Sequence, residues 1–395
     1  MKHPENSQSK GLAHLFYSPT FRSVVFQIIA ILALTFFIYT IVNNALTNLS
    51  SRGITTGFDF LDQPAGFGIG LSLIDYTETD TYGRTFVVGL MNTILVSVIG
   101  IIFATVLGFI LGIARLSTNW LVSRFAAVYI EIFRNVPLLL QILFWYFSVL
   151  GALPGKRQSY ALGESVYLNI SGLFIPKPVF ESGSGWIFAT LIFGIIASVC
   201  VKIWAKNKQK LTGQQSPVLL INSCLIIGLP LIVFFLSGKP ISADYPVLKR
   251  FNFQGGIEII PEFVALLIAL SVYTAAFIAE IVRSGINAVS HGQSEAAMSL
   301  GLPRSKTLKL VVIPQAMRII IPPLTSQYLN LTKNSSLAVA IGYPDLFNIF
   351  AGTTLNQTGQ AIEVISMTMA VYLTLSLVTS FLMNMYNRKV ALVER

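Results

Sequence analysis

The stretch Ser294–Pro314, SEAAMSLGLPRSKTLKLVVIP, interrupts two long apolar runs with small, acidic, basic and chain-breaking residues. Ser290 and Gln293 have the spacing of a capping box, so the sequence predicts a helix starting there. Ala296, Ala297, Met298 and Leu300 extend it, Gly301 suits the position just past a helix end, and Pro303 blocks continuation. A short helix with small side chains lets another surface approach closely. Glu295 could make a charge-assisted contact with a cation on that surface. The plainer alternative is a loop helix that stabilises only its own chain.

A second set of polar residues lies inside apolar runs. Ser326, Gln327, Asn330, Thr332, Lys333, Asn334, Ser335 and Ser336 make one run unusually polar. A polar group carried through an apolar run needs hydrogen-bond donors and acceptors. Lys333 and nearby hydroxyls such as Ser335 supply the first, and Asn330 and Asn334 can supply both. Helix–helix contacts glued by Ser and Asn explain the same pattern, and both readings stand. Asn92 and Thr93 are weaker candidates of this kind. Glu280 and Arg283 share a helix face and can pair, as can Glu131 and Arg134. For these four, a structural pair competes with substrate contact. Pro322 and Pro323 predict a kinked or broken helix.

Several chemistries are excluded. No Gly-x-x-x-x-Gly-Lys-Ser/Thr loop is present, so the chain has no such cradle for nucleotide phosphates. No nucleophile triad or His-Glu-x-x-His pattern occurs, which leaves no catalytic residue to nominate. His3, His14 and His291 are scattered, and Cys200 and Cys224 lie in apolar runs, so neither a metal site nor a disulfide framework is expected. Any transport work must draw on an ion gradient or a partner.

These residues are set in a membrane composition: 395 residues, 54% hydrophobic and 11% charged. Crossing a bilayer takes about 20 apolar residues. Spans are expected at 24–42, about 86–114, 126–150, 186–204, 218–237, 259–282, 317–341 and 362–386. The first is read as a retained helix rather than a cleaved signal. Residues 151–185 read as an ordered loop outside the membrane. The fold class is therefore all-α, a polytopic helical membrane protein with about eight transmembrane helices. Basic residues concentrate in 1–23, 115–124, 202–210, 283–318 and 388–395, all on one side if eight spans are correct. That side is the cytoplasm, with both termini on it. Lys249 and Arg250 form a basic cluster on the other side. The net charge of +10 thus reflects topology, and no nucleic-acid partner is expected.

The spacing Glu295-Ala296-Ala297, then Gly301, then Val311-x-Ile313-Pro314, resembles the EAA loop of ABC-importer permeases. Val311 and Ile313 stand where that pattern has Ile and Leu. GLMNTILVSVIG (89–100), YIEIFRNVPLLLQILFWYF (129–147), YTAAFIAEIVRSGINAV (273–289) and PQAMRIIIPPLTSQYLNLTKNSSLA (314–338) are similar to the polar amino-acid branch of that family. The likeness covers about 86–150 and 258–388. The longer layout is similar to the general L-amino-acid permeases of Gram-negative bacteria, which serve glutamate, glutamine, aspartate and related substrates.

The resemblance implies a type I ABC-importer permease core in a bacterial inner membrane. Glu295, Ala296, Ala297, Gly301, Ile313 and Pro314 would couple to a cytoplasmic ATPase dimer that binds ATP and Mg on its own chains. It further implies a second, related permease chain, a periplasmic amino-acid-binding protein and surrounding lipid. The path candidates are Asn92, Thr93, Glu280, Gln327, Asn330, Lys333, Asn334 and Ser335. The chain divides into an N-terminal helix and periplasmic loop (1–85), a first core part (86–150), an insertion with two extra helices (151–257) and a second core part with the coupling loop (258–395). The competing reading is an ion-coupled amino-acid transporter working without an ATPase, which predicts inverted repeats that the halves do not display.

Overall fold

The computed structural model describes residues 18–390, except 52, 54, 55 and 164. The expected basic residues Lys2, Lys10 and Arg395, with His3 and His14, lie outside these. The described residues form long helices: α1 (Pro19–Ser51), α2 (Tyr82–Arg115), α3 (Trp120–Asn135), α4 (Leu138–Leu143), α5 (Ser184–Thr212), α6 (Val218–Ser223), α7 (Leu229–Leu236) and α8 (Pro261–Asn287). They continue with α9 (His291–Ser299), α10 (Arg304–Thr307), α11 (Ile313–Asn334), α12 (Leu355–Thr358) and α13 (Ala361–Val390). Among the described residues, seven helical stretches are long and apolar enough to cross a membrane, and the bent pair α3–α4 with its extension to Leu150 makes an eighth candidate.

Close approach of α2, α8 and α11 organises the core. A lipid-embedded bundle gains little from hydrophobic transfer, so small residues that bring backbones together carry the packing. A Cβ on Gly112 would lie 2.7 Å from the Ala279 carbonyl oxygen, and one on Gly108 2.6 Å from Ile278. Gly285 sits as tightly against Ile320 of α11. The pairings Gly100–Leu267, Gly108–Ile278 and Gly112–Val282 advance together, so α2 and α8 run parallel. Buried polar groups fasten the other end. The Asn92 amide donates to the carbonyls of Leu71 and Pro344, both at 2.8 Å, and Tyr343 donates back to Asn92 O. The segment after α1 caps this end, with Phe60 and Ala65 buried against Tyr82, Leu346 and Phe350.

The third apolar region departs from expectation. It is not one span over 126–150 but two helices meeting at 106°. Pro137 is the cause: it favours extended backbone at the residue before it, and Val136 is extended (ψ 129°). The Gln141 side chain holds the corner, donating to the carbonyls of Phe133 and Val136. The pair still joins opposite ends of the bundle. The 116–118 turn lines a cavity with His291 and Arg304, at the C-terminal end of α8. The strand Gly172–Ile175 that follows pairs with Ile257–Ile259, at the N-terminal end of α8. An α8 of 27 residues separates those ends by about 40 Å.

The expected loop 151–185 carries four short strands. β1 (Tyr160–Leu162), β2 (Val166–Asn169), β3 (Gly172–Ile175) and β4 (Lys177–Phe180) precede α5, and β5 (Ile241–Asp244), β6 (Val247–Lys249), β7 (Asn252–Gln254) and β8 (Ile257–Ile259) follow α7. β1-β2-β3-β8 form one antiparallel sheet, β6–β7 form a hairpin, and β4 pairs antiparallel with β5 across the two intervening spans. β8 straddles the expected boundary at 257 and leads into α8. The seventh span starts earlier than 317, in a helical stretch running Arg304–Ile341. Pro322 and Pro323 do not break it, since α11 runs through both.

The glycine contacts separate two outcomes. Gly112→Ala places its methyl against fixed backbone and should cost about 1–3 kcal/mol, read as a lower unfolding temperature in detergent. Gly100→Ala meets only the flexible end of Leu331 at 3.3 Å and should leave that temperature nearly unchanged.

Candidate functional site

The loop after α8 forms the short helix that the sequence implied. Ser290 is the N-cap residue, but no capping box closes: its side chain makes no cap bond, and Gln293 bonds Gln315 of α11 instead (3.3 Å). The C-terminal end is fully built. Gly301 adopts φ +80°, its N–H donates to Met298 O (2.9 Å), and Leu302 N–H donates to Ala297 O (3.2 Å). These two bonds make a Schellman motif, which needs a left-handed residue at Gly301. Pro303 then caps α10, and buried Thr307 bonds back to Pro303 O.

The two alanines divide. Ala297 is buried and anchors the helix, while Glu295 and Ala296 are exposed. Met298 (48% exposed) and Leu300 (84%) also point outward, so the helix presents an apolar surface beside a carboxylate. Among the described residues, no cation lies within ion-pair distance of Glu295. Ile313 and Pro314 are exposed at the start of α11. The helix is tied at both sides, to α8 through the short turn at Ala288–Ser290 and to α11 through Gln293–Gln315.

The path candidates fall into three places. Asn92, Thr93 and Ser335 are fully buried and line none of the cavities described here. The Thr93 hydroxyl accepts from Leu346 N–H and donates to Gly89 O, and Ser335 donates to Thr332 O. In this conformation the first two join α2 to the 343–346 segment. Glu280 and Gln327 line a cavity of about 430 Å³ with Arg134, Phe277 and Pro323. There Arg283 Nε donates to Glu280 at 3.1 Å, and Arg134 lies over the Phe277 ring at 5.3 Å. The expected Glu131–Arg134 pair is absent among the described residues.

Lys333 lies elsewhere, in a groove of about 680 Å³ shared with Ser336, Phe347, Thr368, Tyr372 and Ser376. Pro322, Ser326, Asn330 and Lys333 are all exposed, at spacings of four, four and three. Ser326, Asn330 and Lys333 form one polar stripe along α11, with Pro322 on the same face, while Asn334 is half-buried beside it. A polar stripe on a membrane helix must face protein or water, because unpaired polar groups in hydrocarbon cost several kcal/mol.

Sequence reasoning missed the other wall of the groove. Thr368, Tyr372 and Ser376 recur every four residues, a helical-face signal that was available. Asp345 gave no such signal. Fully buried between two spans, it accepts from Asn348 N–H (2.8 Å) and Tyr372 O–H (3.0 Å). Burial pushes its carboxyl up to about 6.

Seven or eight candidate membrane-crossing segments among the described residues, with a short helix outside them and an exposed polar stripe, define a polytopic helical membrane protein. Residues 216–392 match the family described as the inner membrane component of binding-protein-dependent transport systems. The whole chain is 54% identical, over all of both sequences, to the ABC transporter permease YhdX of Escherichia coli (strain K12), whose amino-acid assignment is itself provisional. It is 52% identical to the general L-amino acid transport system permease AapQ of Rhizobium johnstonii, over 96% of this chain and 94% of that one. It is 42% identical to the glutamate/glutamine/aspartate/asparagine transport system permease BztB of Rhodobacter capsulatus, over 97% of each. The chain belongs to this family of ABC-importer permeases, and the ion-coupled alternative finds no support.

Gly301→Val forces a β-branched residue into the left-handed region at a cost of about 1–3 kcal/mol. Amide exchange should rise across residues 296–307 while the unfolding temperature of the bundle holds. Gly301→Asn should retain most of the protection.

Proposed function

We propose that this chain is one of two permeases in an ATP-driven importer of polar L-amino acids, with the range of glutamate, glutamine, aspartate and related molecules. The observation that carries the reading is the helix His291–Ser299, held rigidly outside the bundle with Glu295, Met298 and Leu300 uncovered. A carboxylate beside exposed apolar side chains suits a partner groove that offers a cation and apolar walls. The partner is a cytoplasmic ATPase dimer that binds ATP and Mg on its own chains. Glu295, Ala296, Ala297, Gly301, Ile313 and Pro314 shape the contact. The loop lies in the cytoplasm of a bacterium whose inner membrane holds the chain, and both termini lie on that side, in line with the clustering of Lys and Arg. The division at 85, 150 and 257 remains our working division, with β8 shared across the last boundary.

The cycle follows from the fastening of the loop. ATP binding draws the two ATPases together, and each carries its docked helix. That helix moves α8 and α11 as a unit, because Ala297 and the Gln293–Gln315 bond leave it no independent motion. α8 carries α2 through the glycine contacts. The bundle then rocks against its counterpart and switches the path between inward and outward access. ATP contributes the difference in free energy between the states.

The second permease covers the α11 stripe, and the path runs between the two chains. Lys333 offers a cation to a substrate carboxylate, and Asn330 and Asn334 offer both donors and acceptors. Glu280 and Gln327 lie at a second polar point. The partner permease is a related chain, as the longer layout suggests. A periplasmic binding protein delivers the amino acid from the other side.

Glu295→Lys removes a charge-assisted contact of about 1.5–3 kcal/mol and should weaken ATPase association by tenfold or more, with the unfolding temperature unchanged. Lys333→Ala should leave ATPase association intact and lower ATP-driven uptake of glutamate in reconstituted vesicles by about tenfold. Normal association in the first variant would contradict the coupling assignment. Normal uptake in the second would move the path elsewhere.

A further inference from the structure

Four cations gather on the side of the bundle opposite the coupling helix. Lys249 and Arg250 form the tip of the β6–β7 hairpin, where Lys249 opposes Asn252. Lys156 reaches the same tip, its Nζ donating to Asn252 Oδ1 at 2.9 Å. The Arg157 guanidinium lies 4.6 Å from the Phe251 ring centroid. Arg157, Lys249, Arg250 and Phe251 are exposed, and Lys156 is half-buried. No carboxylate among the described residues lies within ion-pair distance of any of the four. Two acids of this face have partners: Asp244 accepts from Gly256 N–H (3.1 Å) and Glu181 from Ser242 O–H (2.7 Å).

The tip is firmly mounted. Phe253 of β7 stacks on buried Phe174 of β3 with ring centroids 4.4 Å apart, and Tyr167 of β2 packs on the same ring. β3 pairs with β8, and β8 runs into α8, which ends at the coupling helix. A load on the tip therefore reaches the element that carries the transport stroke.

Basic residues are disfavoured in short loops on this side of a membrane, so an unpaired group of four requires a use. The same face also carries exposed acids, with Asp59, Asp62, Asp75 and Glu78 in the segment before α2. An anionic lipid surface would attract the tip and repel that segment. A folded protein whose surface carries both signs complements both.

We propose that Lys156, Arg157, Lys249 and Arg250 form a docking corner for an acidic patch on the periplasmic binding protein, with Phe251 as its apolar contact. This rests on the functional reading above, in which such a protein delivers the amino acid. Docking at the corner sets the affinity of delivery and its salt dependence.

The test uses the complete transporter in phosphatidylcholine nanodiscs, with amino-acid-loaded binding protein titrated while ATP hydrolysis is measured. Lys249→Glu with Arg250→Glu should raise the half-stimulating concentration by about tenfold or more, with basal hydrolysis and maximal stimulation unchanged. Lys249→Arg with Arg250→Lys should restore it, and Lys156→Gln with Arg157→Gln should give an intermediate rise. The wild-type value should climb between about 50 and about 300 mM NaCl, and the charge-reversed value should climb much less. An unchanged half-stimulating concentration in the reversed variant would overturn the proposal. So would a defect that appears only when phosphatidylglycerol is added, which would assign the corner to lipid. A wild-type transporter that the binding protein never stimulates would overturn the importer reading itself.

Discussion

A polar side chain in a bilayer must be satisfied by protein or water, and this requirement sorts the polar residues of the chain by role. The Asn92 side-chain N–H groups and the Thr93 hydroxyl are satisfied within the chain, and they bind α2 to the 343–346 segment about 250 residues away, while Asn92 Oδ1 is buried without a partner among the described residues. Ser326, Asn330 and Lys333 are left on the outside of α11. Residues alike in composition thus divide into internal fasteners and an exposed stripe. The stripe marks where another chain or a watery path must lie.

The same fasteners make the molecule a lever. α8 joins the sheet at one end to the helix His291–Ser299 at the other, and it touches α2 closely through Gly108 and Gly112. α11 returns against α8 through Gly285 and Ile320 and is tied to the coupling helix by Gln293–Gln315. In the proposed cycle, a displacement of the helix His291–Ser299 passes to the stripe through these contacts. α1, exposed along its length, and the α5–α7 pair stand outside this unit.

Much of this was legible in the sequence because it depends on local signals. The spans follow from hydropathy, and the end of the coupling helix follows from Gly301 and Pro303. What was not legible depends on distant partners. β3 finds its mate some 80 residues on, at Ile257–Ile259, and strands of three or four residues carry too little periodicity to declare themselves. Asn92 looked like a path residue because nothing nearby shows its partners at Leu71 and Pro344. The bend at Pro137 was foreshadowed, but hydropathy alone counts apolar residues and not their direction. Thr368, Tyr372 and Ser376 were readable at helical spacing.

In the proposed arrangement the α11 stripe faces a second permease and a watery path, not lipid. The direct measurement is a single spin label at position 330, with Cys200 and Cys224 replaced by Ser, in the assembled transporter in nanodiscs. The account predicts collisions with a water-soluble nickel relaxant well above those with lipid-dissolved oxygen, and a change between ATP-free and ATP-bound states. A label that collides mainly with oxygen and is indifferent to ATP would place the stripe against lipid and contradict the account.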